Sequence, residues 1–197
     1  MDNKASFGDE QFIYHIGMES KPVHINNILD EYVIIDDEKI PFRRRTVLNK
    51  QLSVIMPEKF AIMSKQLAEI KYPSVNRPGE IYTNSETTIN FSLTHTKDAA
   101  TNEGIPEIKE AFQQIITRMH PASNIIDSVV LDVSGLNIAY FDFVTPALDM
   151  DIYNVTFVFS LDKRIVVGSF NCPQESMDEW KPLLAQMLQS TEVKYNK

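Results

Sequence analysis

The sequence predicts an α+β domain in which a central antiparallel sheet is flanked by helices, as an α/β/α sandwich preceded by an N-terminal extension. Three observations carry that reading. Four apolar-rich runs between residues 125 and 171 are joined in places by only two residues, a connection that suits antiparallel neighbours and cannot serve parallel ones. The run 87–95 alternates apolar and polar residues with the two-residue period of a half-buried strand. Two segments, around Phe112 and Trp180, instead repeat their apolar residues at the spacing of a helix that buries one stripe.

The chain opens with apolar residues scattered among acids. Phe12, Ile13, Tyr14 and Ile16, then Tyr32, Val33, Ile34 and Ile35, suit one or two edge strands, and Asp36-Asp37-Glu38-Lys39 reads as a turn joining 32–35 to a strand over 40–48. Leu52, Val54 and Met56 give the next strand an apolar face, and Pro57 ends it because proline has no amide hydrogen. Ser64 is a suitable N-cap for a short helix that turns Leu67 and Ile70 inward and stops at Tyr72-Pro73. Residues 73–79 form a loop with two prolines.

In 87–95, Ile89, Phe91 and Leu93 face a core, while Thr88, Asn90, Ser92 and Thr94 face water or a polar groove. A long helix follows, with Pro106 near its start, Glu107 and Glu110 beside the positive end of its dipole, and Ile105, Ile108, Phe112, Ile115 and Met119 on one stripe. His120-Pro121 closes it. Strands over 125–133, 136–144, 151–161 and 164–171 form a meander, with Ser134-Gly135 and Asp162-Lys163 as two-residue turns. Ser176-x-x-Glu179 reads as a capping box opening a final helix of Met177, Trp180, Leu184 and Met187, and Pro182 predicts either a kink or a one-turn start followed by the main helix. No internal repeat or low-complexity tract appears. The organisation is an extension over 1–50, with a hairpin, and one domain over 51–197.

Charge and composition narrow the function. The net charge of −8 over 197 residues repels phosphate backbones, and the sole basic run, Arg43-Arg44-Arg45, reads as an extended segment covering an acidic neighbour, so nucleic acid is not an expected partner. With six glycines there is no phosphate-cradling loop. No apolar run reaches the roughly 20 residues that cross a bilayer, and the first ten residues lack the pattern of a signal peptide, so membrane insertion is not expected and the expected location is cytoplasmic. A single cysteine, Cys172, excludes an internal disulfide and any multi-cysteine metal site.

Candidate chemistry is sparse. A nucleophilic Cys172 needs a base, yet His15, His24, His95 and His120 stand at no known catalytic spacing from it; its parity with Val166, Gly168 and Phe170 makes it a small buried hydrophobe. His95 and His120 could join Asp98 at a metal, but no ligand motif is present, and neither a metal nor another cofactor is expected. Asp149 and Asp151 place two carboxylates on one side of a loop, too few for a calcium site. Tyr153, Phe157 and Phe159 share one face of their strand, whereas Tyr140 has the parity opposite to Phe141 and Phe143. Apolar surface left uncovered there would be a partner site. Tyr140, Asp149, Asp151 and Tyr153 are therefore the residues expected to bind a partner, with no catalytic residue among them.

Leu52-Ser53-Val54-Ile55-Met56-Pro57-Glu58-Lys59-Phe60, and Arg164-Ile165-Val166-Val167-Gly168-Ser169-Phe170 before a helix ending in Leu188-Gln189-Ser190, give residues 51–191 an element order that resembles the Mog1/PsbP-like fold. That fold is found in the photosystem extrinsic protein PsbP, the Ran-binding protein Mog1 and bacterial DcrB-like proteins. The resemblance implies a non-enzymatic role as an accessory subunit, a partner-binding protein, or a chaperone or adaptor of a secretion or envelope system. An alternative from a different class is a small hydrolase or small-molecule-binding protein with a pocket near Cys172 and His95, which requires those residues and the Asp149/Asp151 loop to converge.

Overall fold

The computed structural model describes residues 26–194. The predicted strand residues Phe12, Ile13, Tyr14 and Ile16, together with His15 and His24, lie outside that range. Asp36 and Asp37 both take positive φ, 49° and 61°, a conformation that aspartate tolerates better than most residues. They close a tight hairpin of β1 (Val33–Ile35) and β2 (Glu38–Ile40). The predicted strand 40–48 is in fact divided, because Pro41 cannot donate to a ladder and the chain changes sheet there. β3 (Phe42–Val47) pairs instead with β4 (Leu52–Pro57), in which Pro57 is the last strand residue, opposite Phe42. All six residues of β4 are buried, Ser53 and Ile55 included, so it is covered on both sides and not on the one face that its alternation suggests.

β5 (Ala61–Ile62) leads into α1 (Lys65–Lys71), which Ser64 caps by accepting the Leu67 amide hydrogen. β6 (Glu80–Thr83) and β7 (Asn90–Ala99) follow, then α2 (Ile105–Met119) with Pro106 in its first turn. The meander consists of β8 (Asn124–Val133), β9 (Leu136–Thr145), β10 (Ile152–Leu161) and β11 (Arg164–Pro173). Its turns have positive φ at Ser134, Gly135, Asp162 and Lys163, the geometry that two-residue hairpins require.

A 3-10 turn at Gln174–Ser176 precedes α3 (Met177–Gln189), and the helix runs through Pro182 as one element. The capping box does not form, since the Ser176 side chain makes no cap bond and Glu179 Oε1 accepts the Asp36 amide hydrogen at 3.4 Å. Ser176 ends the 3-10 turn with φ −91° and ψ 2°, away from the extended backbone of a capping serine. β12 (Glu192–Val193) then pairs with β4. Every pairing is antiparallel: a seven-stranded sheet in the order β5-β6-β7-β11-β10-β9-β8, and a three-stranded sheet in the order β12-β4-β3.

Helices occupy both faces of the large sheet. On one, Trp180, Leu183, Leu184, Met187 and Leu188 of α3 join Phe91, Phe157, Phe159 and Phe170, and residues of β3 and β4 complete the same core. Each such side chain contributes on the order of 1.5–3 kcal/mol on leaving water. On the other face, Ile105, Ile108 and Phe112 of α2 lie on Ala139, Val158, Ile165 and Val167, while α1 covers Ile81 with Leu67 and Ala68. Three predicted inward positions are corrected here. Ile70 of α1 is 77% exposed, because this short helix buries only the side carrying Ala68. Ile115 and Met119 are exposed because the apolar stripe of α2 continues beyond the packing that ends near Phe112.

Between α1 and α2 the same face is polar. The rows Asn90–Asn171–Asn154 and Ser92–Ser169–Thr156 cross β7, β11 and β10 in register. Asn90 donates to Asn171 at 2.8 Å, and the hydroxyls of Ser92 and Ser169 are 2.7 Å apart. This is the polar side of 87–95 that the alternation predicts. Arg43–Arg45 lie along β3, where Arg44 meets Glu192 at 3.1 Å and Arg43 meets Glu58 at 3.8 Å.

Candidate functional site

Three structural features gather at one end of the large sheet: the loop between β9 and β10, the 3-10 turn, and the start of α3. The loop is tied to the turn, since Gln174 donates its backbone N–H to the Asp151 carbonyl at 2.9 Å. Within the loop Leu148 is fully exposed and Met150 is 48% exposed, with Asp149 and Asp151 alternating between and beside them. A hollow of about 500 Å³ is lined by Met150, Asp151, Pro173, Glu175, Met177 and Asp178. Apolar groups there sit among four carboxylates, counting Asp149. The loop joins two ten-residue strands.

Directly inside this end is a buried polar cluster. Asp142 of β9 is fully buried on the α3 face. Its Oδ2 accepts from the Tyr153 hydroxyl at 2.8 Å and from Lys181 Nζ of α3 at 2.9 Å; its Oδ1 accepts the Asp127 backbone N–H at 2.6 Å. Lys181 also reaches Asp127 Oδ2 at 2.5 Å. A buried carboxylate is tolerated only when its lone pairs are satisfied, and these three donors satisfy it. The irregular register of β8 between Ile125 and Asp127 is what brings the Asp127 amide to Asp142.

Electrostatics follow from burial. The Tyr153 hydroxyl is pushed far above its ordinary range by desolvation and then by its bond to Asp142, so it stays neutral and donates. Tyr140, two residues from Asp142 on the same face, is shifted upward by burial and then by the charges of Asp142 and Asp127. For Lys181 burial disfavours the charge, yet the hydrogen bonds to Asp127 and Asp142 outweigh it and raise its value. Cys172, opposite Tyr153 on β11, is fully buried, and desolvation pushes its thiol up to about 12. A thiol so shifted is a poor nucleophile.

The four expected binding residues thus divide. Asp149 and Asp151 are exposed at the tip; Tyr153 and Tyr140 lie inside, Tyr153 bonded to Asp142 and Tyr140 partly buried. The hydrolase alternative needs Cys172 beside His95, but His95 pairs with Val166, six residues along β11 from Cys172, roughly 20 Å at about 3.3 Å per residue. His95 Nε2 is instead 3.0 Å from the Leu161 carbonyl oxygen. Among the described residues no group of three His, Cys, Asp or Glu side chains is arranged to hold a metal, and no helix is long and apolar enough to cross a membrane. Sequence reasoning missed Asp142, Lys181, Leu148 and Met150. The parity of Asp142 with Ile138 and Tyr140 was the one available signal, since it places a carboxylate on an otherwise buried face.

No family model and no curated protein sequence matches the chain. Solved structures do. Cyanobacterial PsbP (CyanoP) from Synechocystis superposes with a TM-score of 0.58 at 10% identity, over 86% of this chain and 97% of that one. A Bacteroides thetaiotaomicron protein gives 0.53 at 9% identity, over 78% of this chain and 49% of its own. LpqN from Mycobacterium tuberculosis, described as involved in cell envelope biogenesis, gives 0.50 at 7% identity, over 84% of this chain and all of its own. At these identities the likeness concerns architecture alone: the chain has the Mog1/PsbP-like fold.

Proposed function

We propose that this protein is a non-catalytic accessory module that holds a protein partner at the end of the sheet formed by the loop between β9 and β10. The observation that carries this reading is the exposure of Leu148 and Met150 between the carboxylates of Asp149 and Asp151, on a loop anchored by two long strands. An exposed leucine at the tip of the loop can anchor in a partner's pocket, and acidic neighbours select a partner segment that is basic as well as apolar. Tyr153 and Tyr140 support the tip from within and do not touch the partner. The fold supports an adaptor or chaperone role in an envelope or secretion system by analogy, since PsbP and an envelope-biogenesis protein share it.

A photo-crosslinking residue placed at position 148, in the native host, tests this reading. One dominant adduct is expected, lost when Asp149 and Asp151 are both changed to Lys. Position 75 is the control, because Val75 is as exposed as Leu148 but lies in the loop after α1. Equal adduct yields at 148 and 75 would overturn the proposal.

A further inference from the structure

A second interaction surface lies along β8, the last strand of the seven-stranded sheet. Among the described residues its outer side has no neighbouring strand. Val133 and Leu136 flank a two-residue turn and pair with each other, so they exchange backbone hydrogen bonds. Alternation along the ladder then points the N–H and C=O groups of Ser128, Val130 and Asp132 outward. The Asp127 amide, which reaches Asp142 of β9, has the inward sense that this alternation requires. An open row of backbone donors and acceptors is a template for a further strand, and Val130 beside it is 43% exposed.

Charge indicates what pairs there. Ser128, Val130 and Asp132 lie on the α2 face, since Val130 pairs with Ala139 beneath that helix. Lys109 of α2 is 7% exposed, and among the described residues it makes no ion pair. Lysine is almost never buried so far without a charged partner. Its Nζ donates to the Ser128 hydroxyl at 2.6 Å, and that hydroxyl donates to Gln113 Oε1 at 3.1 Å. Lys109 and Ser128 line one hollow of about 510 Å³ with Gln113, Thr117 and Arg118, and Glu110 is the only carboxylate in that lining. The polar end of Lys109 therefore meets the strand whose outer edge is open. A carboxylate brought alongside Ser128 would supply the missing counter-charge, whereas the exposed carboxylate of Asp132, further along the same face, calls for a base.

We propose that the outer edge of β8 binds an extended protein segment as an added antiparallel strand, with an acidic residue opposite Ser128, an aliphatic one opposite Val130 and a basic one opposite Asp132. Backbone hydrogen bonds supply the affinity, and the alternate side chains on the α2 face supply the specificity. This surface uses none of the residues of the tip loop.

The probe is the acetylated and amidated peptide Thr-Lys-Thr-Val-Thr-Glu-Thr-Val, and the comparator carries Lys in place of Glu. In the ¹⁵N-labelled full chain the first peptide is expected to shift the amides of Ser128, Val130 and Asp132 saturably and to slow their hydrogen exchange. The comparator should bind at least about tenfold more weakly. Lys109→Met should remove most of that discrimination while the amide spectrum of β3 and β4 stays unchanged. The peptide pair tests the charge in the unaltered protein, so its result does not depend on how the variant folds. Outward amides that neither peptide moves, equal affinity for the two peptides, an unchanged discrimination in Lys109→Met, or outward amides already protected from exchange before peptide is added would overturn the proposal.

Discussion

The two faces of the seven-stranded sheet are built on different principles. Under α3 the face is a continuous aromatic and aliphatic core interrupted by one satisfied polar cluster, Asp142–Tyr153–Lys181. On the opposite face α1 and α2 cover only the flanks, and the centre is a ladder of Asn, Ser and Thr side chains bonded to one another. Alternate residues of the same strands serve both surfaces. The α3 side therefore carries the larger core, and on the other side it is the polar centre between α1 and α2 that can vary at small cost.

The largest departure should come from breaking the polar cluster inside the α3 face. Lys181→Ala leaves the Asp142 carboxylate buried without its cation, and a loss of about 3–5 kcal/mol in urea unfolding is expected. The pair Lys181→Met with Asp142→Leu should recover much of it, because an apolar pair of similar volume removes the stranded charge. A Lys181→Ala loss below about 1 kcal/mol would show that the buried Asp142 carboxylate does not depend on its cation.

Next comes Gly168, where the Phe157 ring of the neighbouring strand lies over the missing side chain. A Cβ built there would stand 2.0 Å from Phe157 Cζ. Gly168→Ala must displace that ring, and a cost of roughly 1–3 kcal/mol is expected from overpacking. Phe157→Leu combined with Gly168→Ala should be less costly than the two changes summed.

The smallest effect is in the pH dependence. Lys181 is raised on folding, so the stability its charge contributes is present below the ordinary lysine value of about 10.5 and is lost as pH climbs through the higher folded value. Tyr153 is also raised; above about pH 10 its counterpart in the unfolded chain ionises while the buried hydroxyl does not, which again favours unfolding. Stability should thus decline above about pH 10, less steeply in Lys181→Met. A flat profile between pH 9 and 11 in the parent protein would contradict both assignments.

Much of this contrast was legible in residue parity. Ile89, Phe91 and Leu93 against Asn90, Ser92 and Thr94 separate the two faces of β7, and the turns at Ser134-Gly135 and Asp162-Lys163 set the meander. What escaped has physical reasons. β5, β6 and β12 contain two to four residues and are too short to show a period. Ile115 and Met119 continue a helical stripe past the region that α2 covers, a matter of tertiary placement. Lys181 meets Asp142 only because α3 folds back over the sheet, and Lys109 meets Ser128 only because α2 packs on its other face. No local pattern encodes either.

Two neighbours on β11 give the most direct test of the central contrast. Phe170 points into the α3 core and Asn171 into the polar ladder, one residue apart on the same backbone. In urea unfolding Phe170→Ala is expected to cost about 3–5 kcal/mol and Asn171→Ala about 1 kcal/mol or less. Equal losses at the two positions, or a larger one at Asn171, would contradict the account.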